Sequence, residues 1–505
     1  MKKCIVVFVH GWSVTDTATY GGLPVRLRNE ARAAGLEIQV KQIFLGRYIS
    51  FHDEVRVKDI SRAFHTAVED ELSALLQEGN RFVCITHSTG GPVIRDWWQR
   101  YYKTDPGGSI CPMSHLIMLA PANYGSALAQ LGKGRLGRIK SWFGGVEPGQ
   151  GVLDWLELGS GEAWELNSDW IRSDGSRIGP DGIFPFVLTG QYIDRAFYDN
   201  LNSYTGELGS DGVVRAAAAN LCGRYIKLVQ QRPIQQKRKY SADELQVEEF
   251  VESPPAAFRI IGKKSHSGKK MGIMRSVKEG VNNRKSKETV SAIFDCLKTG
   301  TKEQYDGLCS RFADETESVQ EKELLEVETH LLQSATNFFH DKFSMVIFRV
   351  RDDEGYPVND FDLILTAGPE NNPNHLPRGF FADRQRNSIN PEIITYFFNY
   401  NAMTGCKAVR NNKGKVVRKK MTGAGSLGLK IVARPEDGFV RYLPCSISAS
   451  QDLLTKVLHP NGTTLIDIRL RRIVSKNVFR LDKMTKKTKP VDFKDTKPGG
   501  EIAEE

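Results

Sequence analysis

Along the first 285 residues, continuous apolar segments alternate with segments whose apolar residues recur at helical spacing. The segments predicted to be strands are 4–9, which is apolar throughout, 37–45, 81–86 and 116–120. The helical segments are 24–34, 53–77 and 91–102. Because strands that alternate with helices form βαβ units, this pattern predicts a mostly parallel sheet covered on both faces. Strands that are apolar throughout agree with burial on both faces.

The alternation stops between Tyr124 and Asp181, in a glycine-rich stretch that holds four of the seven tryptophans. Long insertions in compact domains are usually functional lids or disordered segments, and four tryptophans argue against disorder. We therefore expect a lid over residues 124–182. Beyond it, strands of the sheet are predicted to resume at 184–189, 225–229 and 258–261.

The pattern changes twice more after residue 285. From 286 to 338 it is helical and rich in charge, which predicts a helical connector. Residues 339–485 contain short β-branched and aromatic segments separated by turn residues, as is typical of a mainly-β domain. We interpret this domain as a targeting or partner-binding module. Residues 486–505 are charged and carry proline and glycine, so we expect a disordered tail.

Composition narrows the class of partner and the compartment. The formal net charge of +10 favours an anionic partner, either nucleic acid or a phospholipid surface. The chain shows no zinc-finger spacing, no heptad-linked basic region and no aromatic RNA-binding signature, so we favour the phospholipid surface and expect no nucleic-acid partner. The eight cysteines are scattered without a CxxC pair, which favours buried side chains and folding in a reducing cytoplasm.

The N-terminal apolar segment resembles the start of a signal peptide, but it ends after Val9 with no small-residue cleavage site in reach. No apolar stretch approaches the roughly 20 residues of a membrane span. We therefore expect a protein that is cytoplasmic at synthesis and has no signal peptide.

The strongest local motif is the segment 84–91, CITHSTGG, which places Ser88 directly between an apolar strand and a helix. A serine at such a junction forms a nucleophile elbow, in which the tight turn exposes Oγ and the helix N-terminus points at the reaction centre. The turn requires small residues two positions before and after the serine. Gly90 meets the second requirement, whereas Thr86 departs from the first. Alone, the segment would fit a glycine-rich turn of a nucleotide-binding fold equally well.

The end of the first strand, VHGW at 9–12, decides between these interpretations. An oxyanion hole needs a second backbone donor from the end of a neighbouring strand. We therefore predict that Ser88 is a nucleophile and that the backbone N–H groups of Trp12 and Thr89 form the oxyanion hole. His10 and His87 are interpreted as structural histidines that orient the loops.

In this fold the acid and then the histidine follow the serine along the chain. Asp211 lies in a short turn before apolar residues, as suits a loop at a strand end. Asp194 and Asp199 are rival acids, and a plain turn is the structural alternative. His266 follows the strand predicted at 258–261, where a base can reach Ser88, so we predict a Ser88–His266–Asp211 triad. Four further histidines follow Asp211 and lie in the helical stretch or the β domain: His330, His340, His375 and His459.

Taken as an ordered set, these motifs resemble α/β-hydrolase lipases over residues 1–285. The set comprises HGW at 10–12, THSTG at 86–90, PANYGS at 121–126, SDGVV at 210–214 and HSG at 266–268. The resemblance implies an α/β-hydrolase core, a Ser88, Asp211 and His266 triad, and a mobile lid at 124–182.

More narrowly, the layout is similar to bacterial phospholipase effectors of type VI secretion, and in places to GPI inositol-deacylase-like lipases. That likeness implies hydrolysis of phospholipid acyl esters in the periplasm of a target cell, and a cognate immunity protein. The predicted enzyme is thus a serine lipase or phospholipase that works through an acyl-enzyme. The alternatives are a lipid acyltransferase or thioesterase, and an inactive hydrolase-fold scaffold.

Two further surfaces carry open interpretations. Trp142 and Phe143 lie among basic residues of the lid and suit either a membrane interface or packing onto the core. Basic residues around His266 at 263, 264, 269, 270 and 275 add positive charge or form a solvated face. We expect no cofactor. Oxygen ligands clustered in the β domain leave calcium open, with a solvated hairpin turn as the preferred alternative: Asp352, Asp353, Glu354, Asn359, Asp360 and Asp362.

Overall fold

The computed structural model describes residues 2–10, 19–50, 52–77, 79–103, 110–130, 149–193, 208–231, 243–280, 286–328 and 336–475. The strands are β1 Lys2–His10, β2 Leu36–Phe44, β3 Phe82–His87, β4 Met113–Leu119, β5 Phe184–Thr189, β6 Gly223–Gln230, β7 Asp243–Glu252, β8 Ala257–Ile260, β9 Leu325–Glu328, β10 Thr336–Phe339, β11 Phe343–Asp352, β12 Phe361–Thr366, β13 Phe381–Arg386, β14 Ile393–Asn399, β15 Val409–Arg410, β16 Val416–Arg418, β17 Leu427–Ala433, β18 Val440–Arg441, β19 Cys445–Ser450, β20 Thr463–Leu470 and β21 Ile473–Val474. The helices are α1 Leu23–Glu30, α2 Val57–Leu76, α3 Gly90–Trp98, α4 Gln150–Leu156, α5 Gly161–Ile171, α6 Ala216–Ala219, α7 Lys287–Lys298, α8 Lys302–Glu323, α9 Tyr400–Thr404 and α10 Gln451–Val457.

The first sheet has six strands in the order β2-β1-β3-β4-β5-β8, and all neighbouring pairs are parallel. Its central strands carry runs of consecutive apolar residues, such as 82–85 in β3, and Leu116 to Leu119 of β4 are fully buried. Burial on both faces explains why these strands do not alternate apolar and polar residues. The predicted fold class, an α/β-hydrolase core with a mostly parallel sheet and a mainly-β C-terminal region, is confirmed.

The helices predicted as a connector pack on this first sheet. Tyr305 of α8 is buried, and its hydroxyl donates to the backbone oxygen of Pro185 in β5 at 2.6 Å. The backbone N–H of Ile260 in β8 donates to the hydroxyl of Thr316 in α8 at 3.0 Å. The pattern of 286–323 therefore predicted helices correctly, and these helices pack against β5 and β8 of the first sheet.

The described part of the predicted lid is also packed. Trp155, Trp164 and Trp170 of α4 and α5 are each less than 5% exposed. Trp164 lies under the guanidinium of Arg349 on β11, with Cζ 4.2 Å from the ring centre. These tryptophans order the segment by packing between the two large sheets. Residues 131–148, which include Trp142 and Phe143, lie outside the described residues, as does the predicted disordered tail at 486–505.

The second large sheet has nine strands in the order β12-β17-β19-β7-β6-β20-β11-β14-β13. Strand β6 pairs antiparallel with β7 and parallel with β20, so the segment 225–229 does not resume the first sheet. That prediction is wrong, because a local apolar pattern identifies a strand without identifying its partner. The chain leaves the first sheet after β5, enters the second sheet with β6 and β7, and returns with β8. Within the described residues, no helix combines the length and apolar character needed to cross a membrane.

Candidate active site

Ser88 lies at the sharp turn between β3 and α3. Its φ of 55° falls in the left-handed region, which a non-glycine residue occupies only where the surroundings hold it. The backbone N–H of Ser88 donates to the oxygen of Leu119 at 3.1 Å, and the oxygen of Ser88 accepts from Gly91 N–H at 3.1 Å. These hydrogen bonds tie the turn to β4 and to the first turn of α3. Ser88 as a whole residue is partly buried.

The departure at Thr86 has a packing explanation. Thr86 is fully buried directly below the turn, and a Cβ added at Gly90 would lie 1.9 Å from its Oγ1. The threonine side chain therefore occupies the space that a side chain at position 90 would need. Gly90 is required here because Thr86 is larger than the glycine of the usual motif.

The structure brings Ser88, His266 and Asp211 into one line of hydrogen bonds. His266 Nε2 lies 3.0 Å from Ser88 Oγ, and His266 Nδ1 lies 3.0 Å from Asp211 Oδ2. Asp211 is fully buried, and its other oxygen accepts from the backbone N–H groups of Val213 at 3.1 Å and Val214 at 2.8 Å. Since the carboxylate accepts, Nδ1 carries the imidazole proton and Nε2 is free to accept from Oγ–H.

Asp211 and His266 are also joined through their backbones. The N–H of His266 donates to the oxygen of Asp211 at 2.9 Å. Asp211 lies on the segment that leads into the second sheet before β6, and His266 lies after β8 of the first sheet, so these two distant segments meet here. The side chain of His266 is 1% exposed. This geometry can move a proton from Oγ to the imidazole without reorganising its neighbours.

The two structural histidines lie where they orient the loops. His87 Nε2 is 3.1 Å from the backbone oxygen of His266, and the two imidazole centres are 4.6 Å apart. Loss of solvation, followed by the charge that His266 can carry, holds the pKa of His87 well below its usual range. His10 is buried, stacks on Phe44 at 4.3 Å and contacts Gln42 through Nε2 at 3.0 Å.

Of the two predicted oxyanion donors, only Thr89 falls within the described residues. It immediately precedes α3 and is 7% exposed, and its backbone oxygen accepts from Val93 N–H at 3.3 Å. Trp12 lies outside the described residues. The assignment of both N–H groups to an oxyanion hole stays a prediction.

The rival acids and bases lie elsewhere or outside the described residues. Asp194, Asp199 and His330 are among the residues that the structure leaves undescribed. His340 pairs with Glu326 at 3.0 Å. His375 is exposed in a turn of the second sheet. His459 is partly buried, and its Nε2 donates to the backbone oxygen of Cys222 at 3.0 Å.

Comparison of the whole chain with solved structures identifies its relatives. Phospholipase PlaB from Legionella pneumophila matches with a TM-score of 0.82 and 43% identity, covering 97% of this chain and 97% of that chain. This chain belongs to the PlaB phospholipase family. PlaB in complex with thio-NAD matches with a TM-score of 0.81 and 42% identity, covering 99% and 100% of the two chains.

Membership of the PlaB family confirms, at the level of the family, the prediction of an α/β-hydrolase enzyme of the lipase class. Bacillus licheniformis lipase BlEst2 in its mature form is far more distant, at 16% identity, with 43% of this chain and 79% of that chain covered. Its TM-score of 0.30 is too low to support an argument. No protein-family model and no curated protein matches the chain.

Beneath the elbow, this PlaB-family chain has a buried polar network that sequence reasoning missed. Arg95 of α3 donates to the side-chain oxygens of Asn123 at 3.2 Å and Asn167 at 2.9 Å. Burial lowers the pKa of Arg95 to about 10. Asn123 in turn donates to the backbone oxygen of Ala219 at 2.7 Å. The PANYGS segment is therefore fastened both to the elbow helix and to the region just after Asp211. No local pattern marks Arg95 for this role.

The two charged clusters named in the sequence analysis have different surroundings in the structure. Asp352 is a buried turn residue, because its Oδ1 accepts from the backbone N–H groups of Glu354 at 3.1 Å and Tyr356 at 2.8 Å. Across the described ranges, no three or more acidic, histidine or cysteine side chains are grouped to hold a metal ion. Near His266, Lys264 is buried and donates to Ser276 Oγ at 2.7 Å, whereas Lys263 is exposed.

Proposed function

We propose that this chain is a serine phospholipase that hydrolyses acyl esters of phospholipids, with Ser88 as nucleophile, His266 as general base and acid, and Asp211 as the orienting acid. The observation that carries the proposal is the continuous hydrogen bonding from Ser88 Oγ through His266 to Asp211, with both distances at 3.0 Å, in a member of the PlaB phospholipase family. Triad logic connects this geometry to acyl transfer.

In the proposed reaction, Ser88 Oγ attacks the ester carbonyl carbon while its proton passes to His266 Nε2. The tetrahedral intermediate collapses when His266 returns this proton to the leaving alcohol, which departs as lysophospholipid. Water then attacks the carbonyl carbon of the acyl-enzyme, and His266 takes a proton from this water. His266 passes the proton to Ser88 Oγ as the free fatty acid is released. Asp211 accepts from Nδ1–H throughout and stabilises the positive imidazolium.

Two neighbours support this proton transfer. His87, whose pKa is held well below its usual range, stays neutral at pH 7 and adds no second positive charge beside the imidazolium. Helix α3 begins at Gly90, directly after the Ser88 turn, and the positive end of its dipole favours the negative oxygen of the intermediate. We assign the backbone N–H groups of Thr89 and Trp12 to that oxygen. Losing one such donor typically costs about two to three orders of magnitude in kcat.

The substrate class rests on the family and on charge. Legionella PlaB is named a phospholipase, and a net charge of +10 favours contact with an anionic lipid surface. We therefore propose a phospholipid membrane surface as the partner. Delivery by type VI secretion, action in a target cell's periplasm and a cognate immunity protein stay predictions from the sequence.

The proposal is tested by incubating the full chain and Ser88→Ala with vesicles of mixed phosphatidylcholine and phosphatidylglycerol, and identifying products by mass spectrometry. We expect fatty acid and lysophospholipid from the wild type and no ester turnover from Ser88→Ala. Released phosphorylated head groups, or equal turnover by both proteins, would overturn the proposal. Adding a long-chain alcohol distinguishes an acyltransferase, which would form the alcohol's ester in place of fatty acid.

A further inference from the structure

The loop that carries Asp211 is closed on itself at its base. Ser210 and Arg215 form an isolated antiparallel bridge, and the N–H of Ala216 donates to the oxygen of Gly209 at 2.9 Å. Inside this closed loop the N–H of Asp211 donates to the oxygen of Val214 at 3.1 Å. A movement of either end of the loop therefore moves the carboxylate.

Both ends of this loop contact the second sheet. Gly209 lies against β11, where an added Cβ would stand 2.5 Å from a ring carbon of Phe343. Arg215 reaches β13 and β14: it donates to Asp383 Oδ2 at 2.6 Å, and its Cζ lies 4.0 Å from the ring centre of Phe397. Phe343 and Phe397 stack on each other with centres 4.9 Å apart and planes at 7°. One aromatic pair thus supports the loop at both ends.

The ion pair between Arg215 and Asp383 is more than a surface contact. The Arg215 side chain is 5% exposed and that of Asp383 is 32% exposed. A charge-assisted hydrogen bond with one partner buried is directional and is screened little by solvent. Gln385 holds the same carboxylate, because its Nε2 donates to Asp383 Oδ2 at 3.3 Å and to the backbone oxygen of Ala127 at 3.2 Å. Gln385 therefore helps to orient the Asp383 carboxylate that accepts from Arg215.

We infer that Arg215 and Asp383 are positioning residues, through which the C-terminal sheet sets the orientation of Asp211 and thereby the rate of ester hydrolysis. This inference rests on the proposed Ser88–His266–Asp211 triad. Neither residue touches the reacting atoms, so their effect is on kcat rather than on substrate binding. When a substitution distant from the reacting atoms shifts a catalytic group by about 1 Å, the rate can fall about 100-fold.

The test measures kcat and KM of the full chain on a soluble p-nitrophenyl ester for Asp383→Ala, Arg215→Ala and the double variant. We expect each single variant to lower kcat about tenfold or more while KM changes less than about twofold. The double variant should be no worse than the poorer single variant, because the two side chains act as one unit. Arg434→Ala is the matched control, since Arg434 pairs with Asp362 at 2.6 Å on the exposed edge of the same sheet.

Folding and function are separated by two further measurements. Urea unfolding reports stability, and Arg215→Lys and Asp383→Asn replace the alanine variants if those fail to fold. Both should fold and still lower kcat, since neither restores the ion pair's geometry. If Asp383→Asn and Arg215→Lys match Arg434→Ala in kcat, the inference is wrong. If wild type and Ser88→Ala hydrolyse the ester equally, the proposed function fails instead.

Discussion

Asp211→Asn is the substitution whose catalytic effect the hydrogen bonds define most sharply. Oδ1 of Asp211 accepts from two backbone N–H groups, while Oδ2 accepts from His266 Nδ1–H. In asparagine only the oxygen can accept from the two N–H groups, so the amide nitrogen takes the position of Oδ2. That nitrogen is a donor, which makes Nδ1 the acceptor and moves the imidazole proton to Nε2. Nε2 then cannot take the proton of Ser88.

The size of the loss follows from this wrong tautomer. In serine proteases the same substitution lowers kcat by about 10⁴-fold, equivalent to about 5.5 kcal/mol in the activation barrier. Stability should change far less, because the two backbone hydrogen bonds to Oδ1 survive. The lost charge-assisted bond to the imidazole is worth about 1.5–3 kcal/mol. Asp211→Asn is therefore expected to be folded and nearly inactive.

The assay pairs kcat on a soluble p-nitrophenyl ester with urea unfolding of the same preparations. Asp352→Asn is the matched control, because Asp352 is equally buried, also caps two backbone N–H groups with one oxygen, and accepts from Tyr442 at 3.3 Å with the other. It lies in the second sheet, so its asparagine variant should keep wild-type kcat. A folded Asp211→Asn protein that retains more than about a tenth of wild-type kcat would refute the assignment of Asp211.

Two further substitutions test the packing of the elbow and the titration of His459. Gly90→Ala places a Cβ 1.9 Å from Thr86 Oγ1 and should lower the free energy of unfolding, measured in urea, by about 1–3 kcal/mol. Adding Thr86→Ala should recover most of this loss. A double variant that is no more stable than Gly90→Ala would contradict the packing explanation. Burial lowers the pKa of His459 from 6.5 to about 4, so the unfolded chain binds more protons and stability falls as pH drops through that window. Between about pH 7.5 and pH 5, wild type should therefore lose about 2 kcal/mol more than His459→Gln, and equal losses would exclude the shift.

The elements around Ser88 were predictable because they depend on local chemistry. A mainly apolar strand, a tight turn and an amphipathic helix follow one another within twenty residues, and strands buried on both faces are typical of parallel sheets. His266 was predictable for the same reason, since it directly follows the last strand of that sheet. Asp211 was chosen as the candidate acid from a turn motif and from chain order. The strand that follows it, β6, belongs to the second sheet and not to the first sheet as expected.

The partners of β6 and of the buried polar residues were not predictable in this way. The choice between two sheets for strand β6 depends on β20, which lies more than 200 residues later. Arg95 is one basic residue in an amphipathic helix, and only the fold reveals that Asn123 and Asn167 face it. Long-range pairing of this kind leaves no periodic pattern in the sequence.

The path of the chain explains why the C-terminal region is structurally linked to the candidate active site. Asp211 lies on the segment that leaves the first sheet for the second, and His266 lies shortly after β8, the strand with which the chain returns to the first sheet. Strand β6, which begins just after Asp211, is held between β7 and β20, so the C-terminal strand β20 forms one side of its support. Thr463 of β20 also donates to the backbone oxygen of Ala217 at 2.8 Å, six residues beyond Asp211. The second sheet therefore supports the loop that carries the proposed catalytic acid, in addition to any surface that it offers to a partner. A module that was merely appended to the hydrolase core would not support this loop.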